Sequence, residues 1–214
     1  MKPQNPSLTR SFPIVGIGAS AGGLPALMEL LKHLPIDIGM AFVIAQYLDP
    51  KLESVLAKIL SPITRMPVQT VKDGIRIKPN YVYVITSAFS IVNRDGQLSL
   101  AILEGAKNKH IMIDNFLISL ALTQISKAIG VVLSGSHADG INGLSAIKAV
   151  GGTTFAQDPN SAEFDAKPAR AIALGVVDMT LPPQGIAEEL ARISKFPDEM
   201  NLSRNSKKRK SLKT

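Results

Sequence analysis

Cysteine is absent from this 214-residue sequence, and so is tryptophan. Without cysteine the chain has no disulfide framework and no thiolate metal site. No apolar run reaches the ~18 residues that a membrane-spanning helix needs. The start of the chain, MKPQNPSLTRSF, lacks the apolar segment of a secretory signal. These absences predict a cytoplasmic protein that does not insert into a membrane.

Acidic residues are also absent from the C-terminal segment NLSRNSKKRKSLKT, residues 201–214. This segment holds six lysines and arginines, whereas the formal net charge of the whole chain is +7, so residues 1–200 carry only +1 by subtraction. We predict that residues 197–214 form a basic, disordered tail and that deletion of residues 201–214 leaves the melting temperature nearly unchanged. Because residues 201–214 contain no aromatic side chain for stacking on bases, no nucleic-acid partner is expected.

Apolar runs typical of buried strands alternate with helical patterns along residues 12–196. The alternation predicts one α/β domain with a doubly wound, mainly parallel, Rossmann-like sheet in three layers. An alternating segment around Asp95-Gly96 predicts an antiparallel β-hairpin added to this domain. Sites in such folds form at the carboxyl ends of the strands. The loops that follow the predicted strands and matter most are 18–23, 46–51 and 134–141.

The turn after the first predicted strand fits two sequence templates with different chemistry. Residues 16–21 match the phosphate turn G-x-G-x-x-A of dinucleotide-binding domains, and residues 18–22 match G-x-S-x-G, which exposes a nucleophilic serine, here Ser20. The first template requires an acidic residue at the end of the second strand. Asp37 precedes that strand and Asp49 lies too far along, so the nucleotide interpretation is the weaker one.

A nucleophilic Ser20 requires oxyanion donors, an acid and a base. The backbone N–H groups of Ala21 and Gly22, at the start of a helix, can supply the donors. Asp139 follows a buried strand and can supply the acid, although it is also a candidate N-cap of the helix after it. We expect Ser20 and Asp139 to lie on neighbouring loops at the carboxyl edge of one parallel sheet.

The base of this site has few candidates, since the sequence has only three histidines. His33 lies thirteen residues along the chain from Ser20, roughly 20 Å away at the helical rise, which excludes it. His110 precedes a helix and fits a loop or cap position. His137 lies two residues before Asp139, where it is either a surface residue or a base at an unusual position.

The chain resembles the catalytic domain of the chemotaxis protein-glutamate methylesterases, the CheB family, from about Phe12 to about Arg192. The variant found inside multidomain sensor proteins is the most similar. The resemblance rests on IGASAGG (17–23), VIAQYLDP (43–50), VKDGIRIKPNYVYVI (71–85), KHIMIDNFLISL (109–120), IGVVLSGSHADGINGL (129–144), GGTTFAQDP (151–159) and FDAKPARAI (164–172).

This resemblance implies an activity and a set of site residues. Family members hydrolyse γ-glutamyl methyl esters, and deamidate certain glutamines, on the cytoplasmic helices of methyl-accepting chemotaxis receptors. The family nucleophile falls on Ser20, the acid on Asp139, and the oxyanion donors on N–H groups near Ala21 and Ser136. No cofactor and no metal are expected. A phosphorelay partner or a receiver domain in trans would supply the control that family enzymes receive from an N-terminal receiver domain.

Three departures from the family pattern fall in loops that are expected to rim one pocket. The family histidine after the second strand is Tyr47 here, and a tyrosine with a pKa near ~10 accepts a proton poorly at neutral pH. A histidine, His137, replaces a glycine, and Lys167 stands where the family often has methionine in Phe-Asp-Gly-Met-Pro. We therefore expect weak esterase activity that Tyr47→His raises, with His137 as the alternative base. The competing hypothesis is a catalytically silent receptor-binding module.

Overall fold

The structure is a computed structural model that describes residues 12–47, 55–85, 89–94, 96–102 and 111–196. Its strands are β1 (Ile14–Ala19), β2 (Ala41–Gln46), β3 (Val68–Thr70), β4 (Ile75–Arg76), β5 (Val82–Ile85), β6 (Phe89–Arg94), β7 (Gln97–Ile102), β8 (Ala128–Val132), β9 (Thr153–Gln157) and β10 (Met179–Leu181). Its α-helices are α1 (Gly23–Lys32), α2 (Leu56–Leu60), α3 (Met112–Gln124), α4 (Ile141–Ala149), α5 (Ala166–Ala173) and α6 (Pro183–Lys195).

Seven of the strands form one sheet in the order β10-β9-β8-β1-β2-β5-β3, and every neighbouring pair in it is parallel. Strand β1 lies in the middle, paired with β2 on one side and with β8 on the other. The chain leaves β1 towards β2 and later returns to β8, so the topological switch point lies between β1 and β8. The predicted doubly wound, mainly parallel sheet is confirmed.

The central strands are buried on both sides because helices cover both faces of this sheet. One core contains residues of α1, α2 and α6, among them Leu27, Leu60 and Leu190. The other contains residues of α3 and α4, among them Phe116 and Leu144. The result is the three-layer arrangement that the alternation of elements predicts.

The predicted hairpin forms part of a small separate sheet. Strands β6 and β7 are antiparallel, and β4 adds to the other edge of β7. Gly96 takes a left-handed conformation at φ 78°, which suits a tight turn. Leu98 of β7 is fully buried in the same core as α3, so the small sheet packs against one face of the domain.

The two glycines of the dinucleotide template, Gly16 and Gly18, lie inside β1 and face helix α3. A Cβ built on Gly18 would lie 2.4 Å from Ile113 Cγ2, and one on Gly16 would lie 2.5 Å from Leu117 Cδ2. Both distances are shorter than side chains tolerate, so glycine is required for α3 to approach the strand. Helix packing therefore accounts for both glycines without a bound phosphate.

Several predictions concern residues outside the described ranges. These are the tail over residues 197–214, His110, and Asp49. Within the described part of the chain, no helix is long and apolar enough to cross a membrane.

Candidate active site

Ser20 lies between the end of β1 and the start of α1, beside the switch point. Its N–H donates to the Ser134 carbonyl at 3.1 Å, and its own carbonyl accepts from the Gly23 N–H at 2.9 Å. The first bond joins the turn after β1 to the loop after β8, and the second closes the turn itself. The side chain is only 5% exposed, yet its Oγ has no hydrogen-bond partner among the described residues. A buried hydroxyl without a partner is costly, and such groups are found at functional sites.

Two loops next to Ser20 offer backbone N–H groups as possible donors. Gly22 takes a left-handed conformation, with φ 66°, as the N-cap of α1. The N–H groups of Ala21 and Gly22 make no hydrogen bond to another residue within the described ranges, and neither does that of Ser136. Ser136 follows Gly135, where a built Cβ would lie 2.3 Å from Ser20 Oγ. Unbonded N–H groups at a helix start favour developing negative charge.

The Asp139 carboxylate is buried and caps helix α3. Its Oδ2 accepts from the Tyr47 hydroxyl at 2.7 Å and from the Ile113 N–H at 2.9 Å, and its Oδ1 accepts from the Asp114 N–H at 2.8 Å. Burial raises the pKa of the Asp139 carboxyl above its ordinary value, although these three bonds oppose the change. The expected cap of the following helix was wrong: Gly140 is the N-cap of α4, without a side-chain bond.

Asp114 performs the reciprocal function for helix α4. Its Oδ1 accepts from the N–H groups of Gly140 at 2.9 Å and Gly143 at 2.8 Å, and its Oδ2 accepts from Asn142 Nδ2 at 2.9 Å. Asp114 lies on α3 and Asp139 lies two residues before α4, so each carboxylate accepts from N–H groups at the start of the other helix.

Tyr47 occupies the loop after β2 and is hydrogen-bonded to the end of β1, to Asp139 and to the start of α3. Its N–H donates to the Ala19 carbonyl at 3.2 Å, which places it next to Ser20 in the sheet edge. Its hydroxyl donates to Asp139 and accepts from the Met112 N–H at 3.0 Å. Burial, together with the hydrogen bond to Asp139 and its charge, raises the pKa of Tyr47 well above that of free tyrosine. The hydroxyl therefore stays protonated and cannot act as a base.

Lys167, which stands where the family often has methionine, also lies in this site. It lies in the first turn of α5 and is 1% exposed. Its N–H donates to the Gly135 carbonyl at 2.8 Å, and its Nζ donates to the Asp139 carbonyl oxygen at 2.6 Å. Burial lowers the pKa of Lys167 to about 8, although the charges of Asp139 and Asp114 oppose this change.

The described histidines lie away from this arrangement or at its margin. His33 is the C-cap of α1, at the helix end opposite Ser20, with Nδ1 2.8 Å from the Glu29 carbonyl oxygen. His137 is exposed on the loop after β8, and its Nδ1 lies 3.1 Å from Ser136 Oγ. Across the described ranges no three histidine or acidic side chains cluster as a metal site would require.

Comparison with known proteins identifies the family. A sequence model described as CheB methylesterase matches residues 15–190, a range that contains every site residue above. The chain belongs to the CheB methylesterase family. The CheB fold is also found in a solved structure, the CheB methylesterase catalytic domain of Thermotoga maritima. That domain is 29% identical in sequence to this chain and matches its structure with a TM-score of 0.80. The match covers 86% of this chain and 99% of the Thermotoga maritima domain.

Two curated CheB relatives differ in how much of their length this chain spans. The protein-glutamate methylesterase/protein-glutamine glutaminase 1 of Carboxydothermus hydrogenoformans is 35% identical over 184 residues, which cover 83% of this chain and 54% of the relative. This chain thus spans about half of that protein. A relative from Leptospira interrogans is 31% identical over 193 residues, covering 90% of this chain and 98% of its own.

The structure brings together most of the residues that the CheB resemblance selects. Ser20, Ala21, Gly22, Tyr47, Ser136 and Asp139 all lie on the three loops at the carboxyl edge of β1, β2 and β8. The contacts of Asp114 and the burial of Lys167 are not predicted from the sequence. For Lys167 the available signal was a lysine at the position where the family often has methionine, whereas no local pattern marks Asp114.

Proposed function

We propose that this chain is a protein-glutamate methylesterase that also deamidates glutamines, with Ser20 as its nucleophile. The observation that carries the proposal is the buried Oγ of Ser20 at the β1/β8 switch point, which has no hydrogen-bond partner among the described residues and is followed in the chain by the unbonded N–H groups of Ala21 and Gly22. The curated relative from Carboxydothermus hydrogenoformans is named for both activities. Hydrolysis by a serine nucleophile requires no metal and no cofactor.

The proposed reaction follows the order of a serine hydrolase. Ser20 Oγ attacks the ester carbonyl carbon and loses its proton to a base, and the carbonyl oxygen becomes an oxyanion. The N–H groups of Ala21, Gly22 and Ser136 stabilise that oxyanion. Collapse of the tetrahedral intermediate releases methanol and leaves an acyl-enzyme, which water hydrolyses to the free glutamate. In this account Asp139 orients the site and does not take up the proton.

The proposed substrates are the methylated cytoplasmic helices of chemotaxis receptors. Two exposed apolar side chains near the site, Phe164 at 43% and Ile111 at 40% exposure, support a helical partner. Phe164 contacts the Ser20 turn through Gly22, and Ile111 precedes the N–H that binds Tyr47. Such apolar residues at a site rim are typical of protein-binding surfaces.

The remaining parts of the proposal concern the setting of the domain. We propose a cytoplasmic catalytic domain over residues 12–196 and a basic tail over residues 197–214. Control by a phosphorelay partner or by a receiver domain in trans belongs to the same proposal. The tail is supported by the basic residues of 201–214, and the control by the family pattern.

One observation favours a second function, that of a receptor-binding module without turnover. The Tyr47 hydroxyl donates to Asp139, where a serine hydrolase of this type needs an imidazole as base. The raised pKa of Tyr47 keeps its hydroxyl protonated. A domain with the same surface and no base would bind receptors and leave their esters intact.

The deciding experiment is methanol release from methylated receptor fragments by the full chain. We expect release that Ser20→Ala abolishes and that Ser145→Ala, an exposed serine on α4, leaves unchanged. Binding of the receptor fragment without methanol release, together with no labelling of Ser20 by a fluorophosphonate probe, would establish the silent module instead.

A further inference from the structure

We propose that Lys167 is the general base of this site, so that Ser20 and Lys167 form a catalytic dyad. The inference rests on the proposed function, which names Ser20 as nucleophile but leaves its proton acceptor unassigned. The Tyr47 hydroxyl donates to Asp139, and His137 lies exposed beside Ser136. Lys167 is buried against the same glycine that contacts the Ser20 hydroxyl.

Contacts on Gly135 limit the distance between the Ser20 hydroxyl and the Lys167 amine. A Cβ built on Gly135 would lie 2.3 Å from Ser20 Oγ and 2.5 Å from Lys167 Cε. Ser20 Oγ and Lys167 Cε are therefore no farther apart than the sum of these two distances, and Lys167 Nζ is bonded directly to Cε. Backbone bonds hold this geometry, because the Lys167 N–H donates to the Gly135 carbonyl and the Gly135 N–H donates to Phe164.

The environment of the Lys167 amine favours its neutral form. Its Nζ donates one hydrogen bond to the backbone carbonyl of Asp139, and no carboxylate lies within ion-pair distance in the described part of the chain. A buried, unpaired ammonium is costly, and the start of α5 also disfavours positive charge. The opposing charges are those of Asp139, whose carboxylate is occupied by Tyr47 and two N–H groups, and Asp114 on α3.

A neutral Lys167 has a free lone pair for the serine proton. Ser20 Oγ has no partner among the described residues, so the Oγ–Nζ hydrogen bond must form by rotation of the lysine terminus when substrate arrives. Catalytic hydrogen bonds are often incomplete before substrate binds. The same groups then complete every proton transfer that the reaction needs.

The proton movements balance through both half-reactions. Lys167 Nζ takes the Oγ proton as Oγ bonds to the ester carbon, and the carbonyl π electrons move to oxygen. The ammonium then protonates the departing methoxide, giving methanol and neutral Lys167. In the second half, Lys167 takes a proton from the attacking water and returns it to Ser20 Oγ as the acyl bond breaks. A lysine can perform these steps because burial brings its pKa near neutral pH.

The pH dependence distinguishes a base from a cation that merely stabilises the oxyanion. With a pKa of about 8, about a tenth of Lys167 is neutral at pH 7 and most of it at pH 9. A base therefore predicts a rate of Ser20 acylation that rises roughly tenfold over this interval. An oxyanion-stabilising ammonium predicts a rate that falls.

The test measures Ser20 acylation by p-nitrophenyl acetate on the full chain, with the Ser20→Ala rate subtracted at each pH. We expect Lys167→Met to lower the rate at least ~100-fold and to abolish the rise with pH. Lys167→Arg keeps a cation but not a base, so we expect it to be as inactive as Lys167→Met. The matched control is Lys195→Met, an exposed lysine at the end of α6, which should leave the rate unchanged.

A double variant tests whether Lys167→Met is inactive only because it fails to fold. Lys167→Met/Tyr47→His restores the family pattern at both positions, and we expect it to recover acylation with a pH limb in the histidine range. Wild-type rates in Lys167→Met, or retained activity in Lys167→Arg, would overturn the dyad. Absence of methanol release from receptors alongside Lys167-dependent acylation would instead refute only the proposed substrate.

Discussion

Replacing Lys167 with methionine should make the protein more stable at neutral pH. The native site buries this amine with one backbone acceptor, whereas the unfolded chain exposes it to water. Burial lowers its pKa from an ordinary 10.5 to about 8. Between these two values the unfolded chain binds more protons than the native one, so the wild type gains stability as the pH rises through this interval.

The expected size follows from the pKa difference. A change from 10.5 to about 8 corresponds to roughly 3 kcal/mol in the free energy of unfolding. The variant also loses one hydrogen bond to the Asp139 carbonyl, which contributes about 1 kcal/mol. We therefore expect Lys167→Met to be more stable than wild type by about 2 kcal/mol at pH 7, or roughly 4–8 °C in melting temperature.

Urea unfolding of both proteins at pH 7 and pH 9.5 checks this prediction. Across that interval the advantage of Lys167→Met should shrink by about 2 kcal/mol, because the wild-type lysine becomes neutral. All other titrating groups cancel in the difference between the two proteins. Lys195→Met, which changes an exposed lysine, should show a difference that does not vary with pH in this way. A constant difference for Lys167→Met, or a less stable variant at pH 7, would refute a buried amine with a lowered pKa.

Three further perturbations test other parts of the site. Gly135→Ala places a methyl group 2.3 Å from Ser20 Oγ, so we expect a loss of ester hydrolysis of about 100-fold, and wild-type kinetics in this variant would contradict the close contact. Asp114→Ala leaves two buried N–H groups unpaired and should lower the free energy of unfolding by about 3 kcal/mol, against about 1 kcal/mol for Asn142→Ala, which removes a single bond. Tyr47→His should raise methyl-ester hydrolysis at pH 7 and move the alkaline limb towards the histidine range, and a gain that persists in Tyr47→His/Ser20→Ala would show that Ser20 is not involved.

The sequence predicts the sheet and the meeting of its loops better than it predicts the contacts inside the site. Strand periodicity and the order of elements suffice to bring Ser20 and Asp139 to neighbouring loops, because β1 and β8 are parallel partners. The helix that Asp139 caps is not the next one in the chain, and capping rules read from local sequence assign it to the wrong helix. The burial of Lys167 depends on how the start of α5 docks on Gly135, a contact between segments more than thirty residues apart.

The mutual capping of α3 and α4 has a consequence for how the candidate site can evolve. The Asp139 carboxylate is retained by two backbone N–H groups of α3, whatever side chain follows β2. Tyr47 adds a third bond but is not needed to keep the acid in place. A lineage can therefore exchange the residue after β2, and with it the proton acceptor, through intermediates that stay folded. Selection on the chemistry is in this way separated from selection on the scaffold.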